Sequence, residues 1–190
     1  YSLLRIVKNI LNKSDIENFV ECGCWKGHST YCIGKILNES NFKKKFFVFD
    51  SFEGGLSNKN DKDINKNRYN QNLKEIKNQK KYFFSNFNEI NELLKEFKFI
   101  KIYKSWIPEG FEYITDLKFS FVHIDVDLYQ PTFDSIQFFY KRLTKGGAIV
   151  CDDYNSSDFP GATLAIDEFL KKNKVSFFYD TPLGGCLIIK

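Results

Sequence analysis

Two segments of this chain carry residues that can do chemistry at a spacing that brings them together. Phe121-Val-His-Ile-Asp-Val-Asp-Leu-Tyr-Gln-Pro-Thr132 and Gly146-Gly-Ala-Ile-Val-Cys-Asp-Asp-Tyr154 each read as an apolar strand running straight into carboxylates. If the two strands are neighbours, Asp125, Asp152 and Asp153 meet at their ends. Three carboxylates that close repel one another and raise each other's pKa values unless a divalent cation neutralises them. Hard oxygen ligands with few thiols or imidazoles point to Mg²⁺ or a relative.

A second group of residues suits a nucleoside ligand. Glu21-Cys-Gly-Cys-Trp-Lys-Gly27 sets Gly23 and Gly27 between a strand and a helix, which permits a tight turn and close approach of a ligand to the backbone. The Gly-x-Gly-x-x-Gly fingerprint for a pyrophosphate is absent, because Trp25 stands at its second glycine. Asp50 ends the next strand, where an acid accepts hydrogen bonds from ribose hydroxyls; its competing role is to cap a turn. His123 shares strand parity with Asp125 and reads as a satisfied core histidine, while His28 opens a helix as a cap or a cofactor contact. Asp127 reads as holding its loop by turn hydrogen bonds, and Trp106 and Tyr154 pack on rings or fill space.

The elements that must position these residues alternate. Helical patterns cover Leu3 to Leu11, a segment from His28 with Ser29 or Thr30 helping to cap it, Asn70 to Lys80, Asn88 to Lys98, Pro131 to Leu143 and Gly161 to Lys172. Strand patterns cover Phe19 to Glu21, Lys45 to Asp50, Phe99 to Tyr103, Phe119 to Asp125, Ala148 to Cys151, Val175 to Tyr179 and Cys186 to Ile189. The predicted fold class is therefore α/β: a mostly parallel, Rossmann-like sheet with helices on both faces and a C-terminal antiparallel hairpin at one edge. Ligands of such sheets bind at the carboxyl ends of the strands, where Glu21, Asp50, Asp125, Asp152 and Asp153 fall. The polar stretch Ser51 to Arg68 is the longest predicted loop and a candidate lid.

Length and composition bound the rest. A chain of 190 residues fits one domain covering 1–190, and no linker or repeat divides it. The formal charge of +4 is scattered rather than striped, which argues against a nucleic-acid partner and suits an anionic small molecule. Five cysteines in apolar runs read as reduced core residues, and Cys22-Gly-Cys24 lacks the spacing of a zinc site. No apolar stretch approaches the roughly 20 residues of a membrane span, so the expectation is a cytoplasmic protein. The first residue is Tyr, so an N-terminal lid or targeting segment ahead of it stays open, as does homo-oligomerisation.

The acid-x-Gly-x-x-x-Gly turn at Glu21 to Gly27 resembles the first motif of class I S-adenosylmethionine-dependent methyltransferases. Phe49-Asp-Ser-Phe-Glu-Gly54, Lys104-Ser-Trp106, His123-Ile-Asp-Val-Asp-Leu-Tyr129 and Gly147 to Tyr154 are together similar to the macrocin O-methyltransferase family, whose members methylate sugar or phenolic hydroxyls. The resemblance runs from about Phe19 to Phe169. It implies that Glu21, Gly23 and Gly27 shape the methionine side of an S-adenosylmethionine pocket, and that Asp50 with Ser51 holds the ribose. It also implies that Asp125, Asp152 and Asp153 bind Mg²⁺, with Asp125 assisting removal of the acceptor's hydroxyl proton. The expected activity is Mg-dependent O-methylation of a sugar or sugar-containing small molecule, such as a surface-polysaccharide or nucleotide-linked precursor. The alternatives are a nucleotide-binding oxidoreductase or epimerase, which lacks its phosphate fingerprint here, and a non-catalytic binding protein on the same fold.

Overall fold

A computed structural model of the chain describes residues 2–54, 61–63, 81–182 and 184–190. In chain order its elements are α1 (Ser2–Leu11), β1 (Asn18–Cys22), α2 (His28–Glu39), β2 (Phe46–Asp50), α3 (Phe87–Leu94), β3 (Ile100–Lys104), β4 (Phe119–Ile124), α4 (Tyr129–Arg142), β5 (Leu143–Cys151), α5 (Pro160–Lys172), β6 (Phe177–Asp180) and β7 (Cys186–Ile189). Short 3₁₀ turns lie at Asp61–Asp63 and Glu109–Ile114. The helix predicted over Asn70 to Lys80 and most of the predicted Ser51 to Arg68 loop lie outside the described residues.

The strands form one seven-stranded sheet in the order β3-β2-β1-β4-β5-β7-β6. β1 to β5 run parallel, and β7 turns back antiparallel against β5 and carries β6 on its outer side. The expected mostly parallel Rossmann-like sheet with a C-terminal hairpin is what the chain adopts. The reversal between β1 and β4, where the strand order changes direction, opens the crevice that such folds use for ligands.

Alternation along the central strands, shifted once in β4 between Phe119 and Phe121, feeds two cores. Val20, Cys22, Phe47, Phe49, Val122, Ile124, Ile149 and Cys151 face α4, α5 and the 3₁₀ turn, where Ile136, Phe139, Ile166, Phe169 and Phe111 meet them. Phe19, Phe46, Val48, Phe121, Ala148 and Val150 face α1, α2 and α3, supplied by Val7, Ile10, Ile33, Leu37, Ile90 and Leu94. Each fully buried Phe or Leu contributes about 1.5–3 kcal/mol relative to exposure. Burial on both faces explains why these strands read as continuous apolar runs.

On the second face, β1 and β4 interrupt the apolar rows at one level. Glu21 follows Phe19 and His123 follows Phe121, and the parallel register places Glu21 beside His123. Two polar side chains are thereby paired inside a core, where each must find a partner.

The predicted helix after the acids begins at Tyr129, two residues before Pro131, and the strand predicted from Ala148 starts at Leu143. Proline belongs in a first turn, since its missing N–H is unbonded there in any case. The N-cap position of α4 is Leu128, which offers no side-chain hydrogen bond.

Candidate functional site

The geometry starts from the Glu21–His123 pair. Glu21 is fully buried and His123 is 1% exposed. His123 Nδ1 lies 2.8 Å from Glu21 Oε1, and the Thr30 hydroxyl donates to Glu21 Oε2. Thr30 therefore serves the strand, and the start of α2 at Gly27 has no side-chain cap, contrary to the capping expected of Ser29 or Thr30. His123 Nε2 faces Asp152 Oδ1 at 4.0 Å and has no hydrogen-bond partner among the described residues. The histidine is satisfied at one nitrogen only. Burial works against a charged ring, but Asp152 and Glu21 outweigh it and push the His123 pKa up to about 10.

Ligating atoms of His123, Asp125 and Asp152 lie within 4.8 Å of one another. Asp152 reaches toward solvent, and its carboxyl is held below the ordinary value, first by His123. Burial pushes Asp125 up to about 7, with His123 opposing and Asp153 and Asp152 adding to the rise. Asp153 is pushed up to about 6 by burial, against a backbone N–H that favours its charged form. That donor is the Asp127 N–H, 3.0 Å from Asp153 Oδ2, and Asp127 itself sits at φ 62°. Two buried carboxyls that resist ionisation beside a third acid form a donor set that a divalent cation would neutralise. The residues fit such an ion.

The glycine turn is set by neighbouring backbone. Gly23 has φ +83°, and a Cβ there would stand 1.8 Å from the Asp125 carbonyl oxygen. The loss of a side chain at Gly23 is what lets the end of β4 pass the end of β1. Asp50 fixes the next part of the turn: its Oδ2 accepts the N–H groups of Cys24 and Trp25 and its Oδ1 that of Phe52, each at 2.9 Å. Gly27, at φ +75°, starts α2 and packs toward Ile90 and Leu93. His28 is exposed at the same helix start.

A cavity of about 440 Å³ opens beside this turn. Gly23, Asp50, Ser51 and Asp125 line it together with Asp127. Its aromatic walls include Trp25, Phe49, Tyr82, Trp106 and Phe159. Trp25 stacks on Tyr82, and the Trp106 indole N–H donates to Glu53 at 3.2 Å. Glu21, Gly27, Asp152 and Asp153 are not among its lining residues. Tyr154 also lies outside it and donates its hydroxyl to Asp167 at 2.9 Å. A pocket apolar on most sides with a few convergent polar groups matches what small-molecule sites look like.

Sequence reasoning missed Lys62 and Asp63. Asp63 is buried, and its Oδ1 accepts the N–H of Tyr129 at 2.6 Å, supplying the cap that Leu128 cannot. Lys62 lies 3.7 Å from the centroid of the Tyr129 ring and pairs with Glu168 at 3.1 Å, while the Tyr129 hydroxyl donates to Glu168 at 2.6 Å. Nothing in a polar run rich in Asn, Lys and Asp signals which acid will travel to a distant helix.

The model of the family described as Macrocin-O-methyltransferase (TylF) matches residues 2–180. The chain is 22% identical over 179 residues to demethyldecarbamoylnovobiocin O-methyltransferase of Streptomyces niveus, covering 90% of this chain and 64% of that protein. It is 25% identical over 154 residues to a Streptomyces olivaceus enzyme, 8-demethyl-8-(2,3-dimethoxy-alpha-L-rhamnosyl)-tetracenomycin-C 4'-O-methyltransferase, covering 78% and 57%. The chain thus spans less than two thirds of the length of these relatives. Among solved structures, the O-methyltransferase NovP superposes with a TM-score of 0.76 at 18% identity, covering all of this chain and 78% of that one. A calicheamicin methyltransferase follows at 0.75 and 16%, covering 99% and 77%. At such identities the structural likeness establishes the fold.

Proposed function

Because this chain belongs to the macrocin-O-methyltransferase family, we propose that it transfers a methyl group from S-adenosylmethionine to a hydroxyl of a sugar or sugar-containing small molecule. The observation that carries the reading is the convergence of Gly23, Asp50, Ser51 and Asp125 on one cavity beside a cluster of acids at the carboxyl ends of β4 and β5. Relatives named for methylating a novobiocin precursor and a rhamnosyl tetracenomycin support a glycosidic acceptor. A surface-polysaccharide precursor or a nucleotide-linked sugar is the acceptor class to test first. We place the reaction in the cytoplasm, within one domain spanning 1–190, with Mg²⁺ as the metal; a homo-oligomer is compatible with the reading.

In this proposal Gly23 lets the cofactor's methionine end approach the backbone, with Glu21 and Gly27 shaping the turn. Asp50, already held by three backbone donors, presents its remaining acceptor position to the ribose, with Ser51 beside it. Asp125, Asp152 and Asp153 are the acids that hold the metal. When bound, S-adenosylmethionine supplies an electrophilic methyl group, and Mg²⁺ supplies charge that favours the acceptor's alkoxide. With that cofactor bound, an acceptor oxygen held in line with the methyl group would form the O–C bond as the C–S bond breaks, releasing S-adenosylhomocysteine. Asp125 is the carboxylate assigned to assist removal of the hydroxyl proton. The aromatic walls keep water from the methyl group.

Calorimetric titration with S-adenosylhomocysteine, with and without Mg²⁺ and beside NAD, tests the reading. Binding of S-adenosylhomocysteine with silence toward NAD is expected, and the reverse would redirect the assignment to a nucleotide-dependent oxidoreductase or epimerase. Replacing Asp152 and Asp153 together by Asn should abolish methyl transfer. Full turnover in that variant would sink the metal assignment, and an absence of turnover with any hydroxyl acceptor would favour a binding protein.

A further inference from the structure

The acid cluster contains one atom that carboxylate chemistry leaves unexplained. His123 is 1% exposed, and its Nε2 has no hydrogen-bond partner among the described residues. A buried ring nitrogen is rarely left in that state. The group it faces is Asp152 Oδ1 at 4.0 Å, too far for the two atoms to share a proton directly. Asp125 supplies a further oxygen, and all three ligating atoms fall within 4.8 Å of one another.

The opposite side of the ring is fixed. Nδ1 lies 2.8 Å from Glu21 Oε1, and Glu21 is itself held by the Thr30 hydroxyl. The Glu21 carboxyl, engaged by Nδ1 on one oxygen and by Thr30 on the other, orients the ring with Nε2 toward the acids, and a cation bound there would displace any proton on that nitrogen. Imidazoles that bind metals are held in this manner, one nitrogen on the ion and the other N–H given to a carboxylate. The parallel register of β1 and β4 builds the arrangement, because it places Glu21 and His123 side by side on one face of the sheet.

The geometry points to His123 Nε2 as a nitrogen ligand, alongside Asp125 and Asp152, of the divalent cation at this site, with Glu21 as the residue that positions the ring. This rests on the reading that the acid cluster holds a cation, and it changes the character of the centre. Asp153, the remaining acid of the set, has one oxygen engaged by the Asp127 N–H. A mixed nitrogen and oxygen donor set favours Mn²⁺ or Co²⁺ over Mg²⁺ more than carboxylates alone do, since imidazole suits transition ions and Mg²⁺ prefers oxygen.

The test uses the wild-type protein first. Pulsed electron paramagnetic resonance of the Mn²⁺-loaded chain should show nuclear modulation from a directly bound nitrogen. Its absence overturns the assignment without any variant, so a His123 replacement that fails to fold leaves the question decidable. Calorimetric titrations of Mn²⁺ and Mg²⁺ into wild type, His123→Asn and Glu21→Gln then read the preference. Manganese affinity should fall by about tenfold or more in His123→Asn and by about tenfold in Glu21→Gln, with a smaller loss for magnesium. Unchanged manganese affinity in a His123→Asn protein that circular dichroism shows to be folded, or equal losses for both metals, overturns the nitrogen ligand and leaves the cation site standing. Failure of wild type to take up either metal overturns both.

Discussion

Asp63 reaches across 66 residues of sequence to accept the Tyr129 N–H at 2.6 Å, so a residue of the long polar stretch closes the first turn of the helix that follows Asp125 and Asp127. Removing an N-terminal cap costs about 0.5–2 kcal/mol. Asp63→Ala should lose an amount in that range, and Asp63→Asn, whose carbonyl still accepts, should keep most of it. Chemical unfolding of the three proteins checks this, and equal stability of Asp63→Ala and wild type would remove the cap from the account.

Gly161 makes room for that cap. A Cβ at Gly161 would lie 1.9 Å from Asp63 Oδ1 and 2.8 Å from the Tyr129 nitrogen. Gly161→Ala should therefore expel Asp63, with a loss of about 1–3 kcal/mol from overpacking. Because both changes act on one contact, the double variant Asp63→Ala with Gly161→Ala should lose less than the sum of the two. Strict additivity in unfolding measurements would show that the sites are independent.

Gly23 is the least replaceable residue of the glycine turn after β1. Left-handed backbone at a residue other than glycine costs about 1–3 kcal/mol, and Gly23→Ala adds a collision 1.8 Å from the Asp125 carbonyl oxygen. We expect destabilisation and loss of S-adenosylhomocysteine binding together, read by thermal melting with and without the ligand. A Gly23→Ala protein that melts and binds as wild type does would contradict the close approach of β1 and β4.

Glu168 links pH to the same corner. Lys172, Tyr129 and Lys62 draw its pKa from 4.5 down to about 2. A carboxyl with a depressed folded pKa stabilises above its unfolded value, so its contribution is full above about pH 4.5 and is lost as pH falls from there toward about 2. Unfolding midpoints between pH 7 and pH 2 should fall less steeply in Glu168→Gln, and raised salt should shrink the difference because the pairs are exposed. Identical acid profiles would mean that the cluster does nothing for stability.

Much of the frame was legible because the central strands are buried on both faces and end in acids. Phe46 to Phe49 is an uninterrupted apolar run and Phe119 to Ile124 is broken only by Ser120 and His123, and the glycines after Glu21 mark the turn. What stayed hidden depends on partners far away in the chain. The half-satisfied state of His123 follows from its register against Glu21, 102 residues earlier, and no local pattern reports a register. The capping role of Asp63 depends on Tyr129, and the 3₁₀ turn at Glu109–Ile114, which buries Phe111 and Ile114, is too short to show a helical period.

The antiparallel return of β7 has a consequence for the order in which the molecule can become competent. Cys186 sits opposite Cys151, and the Gly185 N–H donates to the Tyr154 carbonyl at 2.7 Å, so the turn carrying Asp152 and Asp153 is braced by a strand made some thirty residues later. On the ribosome β1 through β5 emerge first, and their acids wait without that brace until β7 has followed. The acid-bearing turn therefore reaches its braced form only once β7 has paired with β5.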